Sequence, residues 1–160
     1  MLRIGLISDT HGLLRPEALA FLAGCDLLVH AGDIGGPDIL ERLAAIAPLS
    51  VVRGNNDHAA WAAAIPASLT LALGGIRLHA VHDIAELDIV PAEAGVQVVV
   101  SGHSHKPSLT ERAGVLYVNP GSAGPRRFKL PISIGDLTID GDGRKPRITP
   151  RIVTLDSPTR

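Results

Sequence analysis

The sequence predicts an α/β fold in which two mixed sheets pack face to face with helices outside. Three observations lead there. In the first half, short β-branched or Leu-rich runs alternate with Ala/Leu-rich stretches, the βαβ pattern. After residue 105 the pattern changes to strands joined by Gly-rich turns, which reads as antiparallel or mixed pairing. A chain of 160 residues fits a single domain, residues 1–160, and with aromatics at only 2% its core must be built from Val, Ile, Leu and Ala.

The elements follow in order. Strands are expected at Arg3–Ile7, Asp26–His30 and Ser50–Arg53, separated by helices at Pro16–Leu22 and Pro37–Ala47. Each helix has Pro in its first turn, where the missing N–H costs nothing. Leu69–Leu73 and Arg77–Val81 flank Gly74-Gly75, a tight hairpin, and Gln97–Ser101 forms a further strand. Leu109–Arg112 and Val115–Asn119 flank Ala113-Gly114, while Pro131–Ile139 and Arg147–Leu155 flank Asp140-Gly141-Asp142-Gly143. The polar tail, Asp156–Arg160, is expected to fray.

Composition excludes several classes. A formal net charge of −1 offers no broad basic field for nucleic acid. No apolar run approaches the length of a membrane span, and the N-terminus opens as a strand rather than a signal peptide, so a cytoplasmic location is expected. Cys25, the single cysteine, sits among apolar residues and reads as a buried, reduced thiol. Self-association is compatible with so small a chain, and no surface stripe marks an interface.

Chemistry gathers where strands end. Arg3–Ile7 runs into Asp9 and His11, Asp26–His30 into Asp33, and Ser50–Arg53 into Asn55, Asn56 and Asp57. Arg77–Val81 runs into His82, and Gln97–Ser101 into His103 and His105. Ligands of open α/β sheets bind beyond the carboxyl ends of the strands, so these loops can converge on one edge. A lone Asp-x-His pair is commonplace, and Gly-Asp and Gly-Asn-Asn-Asp are good turn chemistry. Five such ends in one short chain are not.

Asp9, His11, Asp33, Asn55, His82, His103 and His105 supply two carboxylates, one amide oxygen and four imidazoles. That set suits Mn, Fe, Ni, Zn or Co better than Ca or Mg, which prefer all-oxygen shells. Seven ligands exceed what one ion can use, whereas two ions sharing a carboxylate can use them. His30 and His79 read as packed structural histidines and His58 is ambiguous. Asp57 reads first as a loop brace. Arg53, Arg126, Arg127 and Lys129 are candidate phosphate contacts in the group, each more ordinary as a solvated side chain when taken alone.

Taken together, Ser8-Asp9-Thr10-His11-Gly12, His30-Ala31-Gly32-Asp33-Ile34, Val52-Arg53-Gly54-Asn55, His82, Gly102-His103-Ser104-His105 and Asn119-Pro120-Gly121-Ser122 resemble the calcineurin-like metallophosphoesterases. The nearest likeness is to the small YfcE-type phosphodiesterase branch, from residue 1 to about residue 140. The resemblance implies a four-layer α/β/β/α sandwich and two divalent transition-metal ions, Mn foremost. It implies one ion on Asp9, His11, Asp33 and His105 and a second on Asp33, Asn55, His82 and His103, with Asp33 bridging. It further implies in-line attack by a hydroxide held between the ions on a small phosphate ester, chiefly a diester. The alternative within the same fold is an inactive interaction scaffold, in which ligand positions are altered; here every ligand type is intact.

Two positions depart from the resemblance. Many relatives carry His directly after the metal-binding Asn, to protonate the leaving group. Here that residue is Asn56, retained with Asp57 as a candidate catalytic residue, and an amide cannot deliver a proton at neutral pH. His82 is usually followed by Gly; here Asp83 follows. Its carboxylate is expected to orient a ligand histidine, to repel dianionic monoesters, or to lie outside the chemistry.

Overall fold

In the computed structural model, residues 1–141 and 144–155 are described; Asp142, Gly143 and the tail Asp156–Arg160, for which a turn and fraying are expected, lie outside them. Ten strands form two five-stranded sheets. The first sheet has the order β10-β9-β1-β2-β3, from β1 (Leu2–Ile7), β2 (Leu27–His30), β3 (Leu49–Val51), β9 (Ser133–Asp140) and β10 (Arg147–Thr154). The second has the order β4-β5-β6-β8-β7, from β4 (Ser68–Leu73), β5 (Ile76–Val81), β6 (Val98–Val100), β7 (Ser108–Arg112) and β8 (Val115–Asn119). β1, β2 and β3 run parallel, as do β5, β6 and β8, and the remaining pairings are antiparallel. The last two strands therefore return to the first sheet, with β9 beside β1.

Strand alternation builds two apolar layers. Ile4, Leu6, Val29 and Ala31 of the first sheet face Leu78, Ala80, Val98 and Val100 of the second. On the first sheet's other side, Ile7, Leu28 and Ile134 pack against Leu22 of α1 (Pro16–Leu22) and Ile39 and Leu43 of α2 (Pro37–Ala44). Both helices start with Pro in the first turn, as the sequence predicts. The second sheet's outer layer is thinner: a 3-10 turn at Ile84–Glu86 and the loop after it, with Val96, Val99 and Val115 beneath Leu87 and Ile89. No helix among the described residues is long and apolar enough to cross a membrane.

Most strand boundaries shift by one or two residues from expectation, α2 ends early, and two of these differences have a visible cause. α2 stops at Ala44 rather than Ala47, because Pro48 disfavours helical backbone in the residue before it. β3 leaves the ladder after Val52, which donates to the His30 carbonyl at 3.1 Å; Arg53 N–H turns to the Pro66 carbonyl instead. Cys25 is buried and free, and burial pushes its thiol pKa up, as expected of an inert thiol.

His30 closes β2 fully buried. The Thr10 hydroxyl donates to the Ile34 carbonyl at 2.8 Å, so it has no hydrogen left for His30 Nε2, 2.9 Å away. Nε2 must carry the hydrogen and donate, while Nδ1 accepts from the Gly32 N–H at 3.0 Å. Burial, opposed by the charges of Asp9 and Asp57, lowers the ring's pKa to about 4. An unfolded histidine takes its proton near 6.5, so this ring's contribution to stability is whole above that pH and is lost as pH falls toward 4. Nitrogen NMR at pH 6 is expected to show His30 neutral with hydrogen on Nε2, and a midpoint near 4; a midpoint at the ordinary value would contradict this network.

Candidate metal centre

The parallel strands of both sheets end at one edge, and the loops beyond them meet there. Asp9 and His11 follow β1, Asp33 follows β2, Asn55 follows β3, His82 follows β5, and His103 and His105 follow β6. Backbone cross-links clamp these loops together: Asp9 N–H to the Gly32 carbonyl, His11 N–H to the Asp33 carbonyl, and Gly102 N–H to the His82 carbonyl, all at 2.9–3.0 Å. Five of the seven candidate ligands hold left-handed backbone, with φ of 56° at Asp9, 45° at His11, 58° at Asp33, 71° at His103 and 63° at His105. Such conformations cost about 1 kcal/mol or more each and persist only where the surroundings impose them.

Asp9 divides its carboxylate. Oδ2 accepts from the Ser8 hydroxyl at 2.6 Å and from His103 N–H at 3.1 Å. Oδ1 is buried and has no hydrogen-bond partner among the described residues. Around it stand three imidazoles, with His105, His11 and His82 Nε2 at 3.4, 3.8 and 3.9 Å. His11 and His82 Nε2 are likewise buried and unpartnered, and lie 3.6 and 3.3 Å from Asp33 Oδ2. Two groups thus lie close enough to grip a cation: Asp9 with His11 and His105, and Asp9 with Asp33 and His82.

These residues fit divalent ions. Ligand bonds of about 2.1 Å at angles between octahedral and tetrahedral place neighbouring ligand atoms roughly 3.0–3.5 Å apart. The observed separations fall at or just above that range, and most are too long for hydrogen bonds. Burying unpartnered polar atoms is costly, and a cation would satisfy these together. His82 is pre-set for the task, since Nδ1 donates to the Ala31 carbonyl at 2.7 Å and leaves the Nε2 lone pair facing the aspartates.

His103 and Asn55 sit at the solvent side. His103 Nδ1 lies 3.1 Å from Asn55 Oδ1, while its Nε2 is 3.7 Å from Asp83. Its ring stands edge-on to that of His82, centroids 5.2 Å apart. Asp83 also caps the turn behind it, accepting from Ala85 N–H at 3.0 Å.

Electrostatics follow. Burial works to raise the pKa of Asp9, but His105, Ser8 and the neighbouring imidazoles outweigh it and leave it lowered. Asp33 is held well below the usual carboxylate range: burial opposes ionisation, and the His82 imidazole beside it together with the Asn56 N–H prevails. His82 is raised; burial opposes its charge, while Asp33 and Asp9 favour it.

The remaining candidates separate by role. Asp57 is buried and accepts from the N–H groups of Asp33, Ile34 and Gly54 at 2.9–3.0 Å, so its carboxylate is occupied in bracing two loops. Asn56 N–H and side-chain amide donate to the two oxygens of Asp33 at 2.9 and 3.0 Å. His79 is buried against Thr70 at 2.8 Å, and His58 is exposed away from such contacts. Arg53 and Arg126 donate to the Ile65 and Leu130 carbonyls, whereas Arg127 and Lys129 are exposed.

Residue-by-residue reading gave no role to Ser8, Asn119 or Ser122, although their motifs were visible. Ser8 holds Asp9 Oδ2, Ser122 donates to the Asp9 carbonyl at 3.0 Å, and Asn119 donates to the Gly102 carbonyl at 3.0 Å. A small hydroxyl or amide beside a ligand loop is the only signal such supports leave in a sequence.

The calcineurin-like phosphoesterase superfamily domain matches residues 2–142. A Methanothermobacter thermautotrophicus protein named "Probable metallophosphoesterase" is 36% identical over 152 residues, covering 87% of each chain. Among solved structures, YfcE, a phosphoesterase from E. coli, superposes with a TM-score of 0.68 at 25% identity over 97% of this chain and all (100%) of that one. Chaetomium thermophilum Vps29 shares the fold, with a TM-score of 0.74 at 21% identity, covering 99% of this chain and 100% of that one.

Gly102 offers a direct test of the packing. A Cβ there would run into the Ser8 hydroxyl and the Asp9 carboxylate, whereas one at Gly114, on the β7–β8 hairpin, would meet open space. Gly102→Ala is expected to lose about 1–3 kcal/mol in urea unfolding and on the order of tenfold or more in Mn affinity. Gly114→Ala, which strains a left-handed turn, should leave Mn affinity unchanged.

Proposed function

Because this chain belongs to the calcineurin-like phosphoesterase superfamily, we propose that it hydrolyses phosphodiesters at a centre of two divalent transition-metal ions, with Mn the foremost candidate. Asp9, His11, Asp33 and His105 would hold one ion and Asp33, Asn55, His82 and His103 the other, with Asp33 shared. When bound, such ions lower the pKa of water toward neutrality and neutralise charge developing on phosphoryl oxygens.

The protein's own residues prepare that chemistry. Ser8 and His103 N–H fix Asp9 so that Oδ1 alone faces the imidazoles. Asn56 holds both oxygens of Asp33 in place. Asp57 ties the Asp33 and Asn55 loops together from beneath. The observation that carries the reading is Asp9 Oδ1: buried, unpartnered, and facing three imidazole nitrogens within 4 Å. An anion kept in that state is suited to holding a cation, which supports a metal-dependent site.

A hydrolysis panel with Mn, Ni, Zn, Co and Mg tests this, comparing an aryl diester with the matching monoester. Transition ions should support diester turnover better than Mg. Asp33→Asn should cost on the order of 10²–10³-fold. Absence of turnover with every ion, or a wild-type rate in the variant, would refute the proposal.

The leaving group supplies a second test. Asn56 spends its amide on Asp33 and cannot deliver a proton. The rate should therefore fall steeply as leaving-group pKa rises, aryl diesters outrunning alkyl ones; a flat dependence would overturn this account.

A further inference from the structure

Two cavities of about 200 Å³ flank the centre, and Asp83 lines both. One, bounded by Asn55, His82, Arg53 and Glu86, lies on one side of Asp83. The other begins at His103 and runs along the outer face of the second sheet. Larger hollows occur at the Gly74-Gly75 hairpin and against Phe128, but neither is lined by a candidate ligand.

The His103 cavity follows from strand alternation. Ser108, Thr110 and Arg112 project from one face of β7, opposite Asn119 and Tyr117 of β8 in the antiparallel register, and the 3-10 turn at Ile84–Glu86 supplies the facing wall. At the metal end, Ser104 Oγ accepts from Asn119 and from Lys106 N–H, so its own hydrogen is free to donate. At the far end the Arg112 guanidinium lies over the Tyr117 ring, 4.3 Å from its centroid. Among the described residues it has no carboxylate partner, and the Ser108 and Thr110 hydroxyls are also unpartnered. A guanidinium held flat by an aromatic ring and left without an anion keeps its fork of donors for a phosphate or carboxylate.

Resting on the diesterase reading above, we propose that this cavity is the subsite for one ester substituent of the substrate. It selects a compact, hydroxylated group that ends in an anion. The Ser and Thr hydroxyls and the Asp83 carboxylate bind its hydroxyls, and Arg112 binds the anion. A volume of about 200 Å³, lined by hydroxyls and a guanidinium, suits a sugar-phosphate-sized group. The Asn55–Arg53 cavity, of the same volume, receives the substituent on the other side of the phosphorus.

The test compares two probes that differ by one phosphate, fructose 1,6-bisphosphate and fructose 6-phosphate, on the Mn-loaded protein. Calorimetry gives their affinities, and inhibition of aryl diester hydrolysis gives a second measure. The bisphosphate should bind at least about tenfold more tightly, the equivalent of one charge-assisted contact. Arg112→Gln should bring the ratio close to one, and Arg112→Lys should restore part of it. Equal affinities in the wild type, binding of neither probe, or an unchanged ratio in Arg112→Gln would overturn the proposal. If no diester is hydrolysed but the calorimetric preference persists and depends on Arg112, the diesterase reading fails while the anion subsite stands.

Discussion

Two carboxylates, Asp9 and Asp33, are buried at the one edge where both sheets end, and the surrounding structure is organised around keeping them ionised. Burial alone would raise their pKa and disfavour the charged form. What opposes this is local: the His105 imidazole beside Asp9 and that of His82 beside Asp33, with donors in the Ser8 hydroxyl and the Asn56 N–H groups. Each of these donors takes one oxygen or one lone pair and leaves another aimed inward. The anionic charge is thereby stored, pointed at imidazole nitrogens, in a place where water cannot dilute it.

Holding those groups within about 4 Å of each other is expensive for the backbone. Every contributing loop must turn sharply immediately after its strand, and the left-handed φ values at Asp9, His11, Asp33, His103 and His105 record that cost. It is offset by a second ring of polar contacts that touches no ligand atom. Asp57 gathers the N–H groups of the Asp33 and Asn55 loops. His30 and Thr10 join the end of β2 to the turn after β1, with a neutral ring that carries no charge into the interior. Where two loops cross, only glycine fits: a Cβ at Gly54 would strike Asp33, and one at Gly102 would strike Ser8 and Asp9.

This division explains what could be read from the sequence. The strands and both helices were legible because alternation and Pro at helix starts act locally, and the boundary errors at Ala44 and Val51 came from Pro48 and from a tertiary bond to Pro66. The candidate ligands were legible because His, Asp and Asn after strand ends are chemically conspicuous. Which sheet β9 and β10 would join was not, since a return across the molecule leaves no mark in the strand pattern itself. Nor was the pairing of His103 with Asn55 and Asp83, or the support given by Ser8 and Asn119, because a serine or an asparagine carries no sign of whether its partner lies near or far in the chain.

The same geometry accounts for the two departures from the superfamily pattern. Asn56 stands where the resemblance implies a proton donor, and its amide lies on Asp33 and holds that carboxylate in place. Asp83 replaces a glycine and adds a negative charge 3.7 Å from His103, on the ridge between two cavities. Its cap on Ala85 N–H keeps that charge from swinging away. Any anion approaching His103 along this ridge would meet that carboxylate, and the repulsion would grow with the anion's charge. Asn56 is thus committed to Asp33 and Asp83 to its own turn, so both departures act by fixing charge beside the candidate ligands.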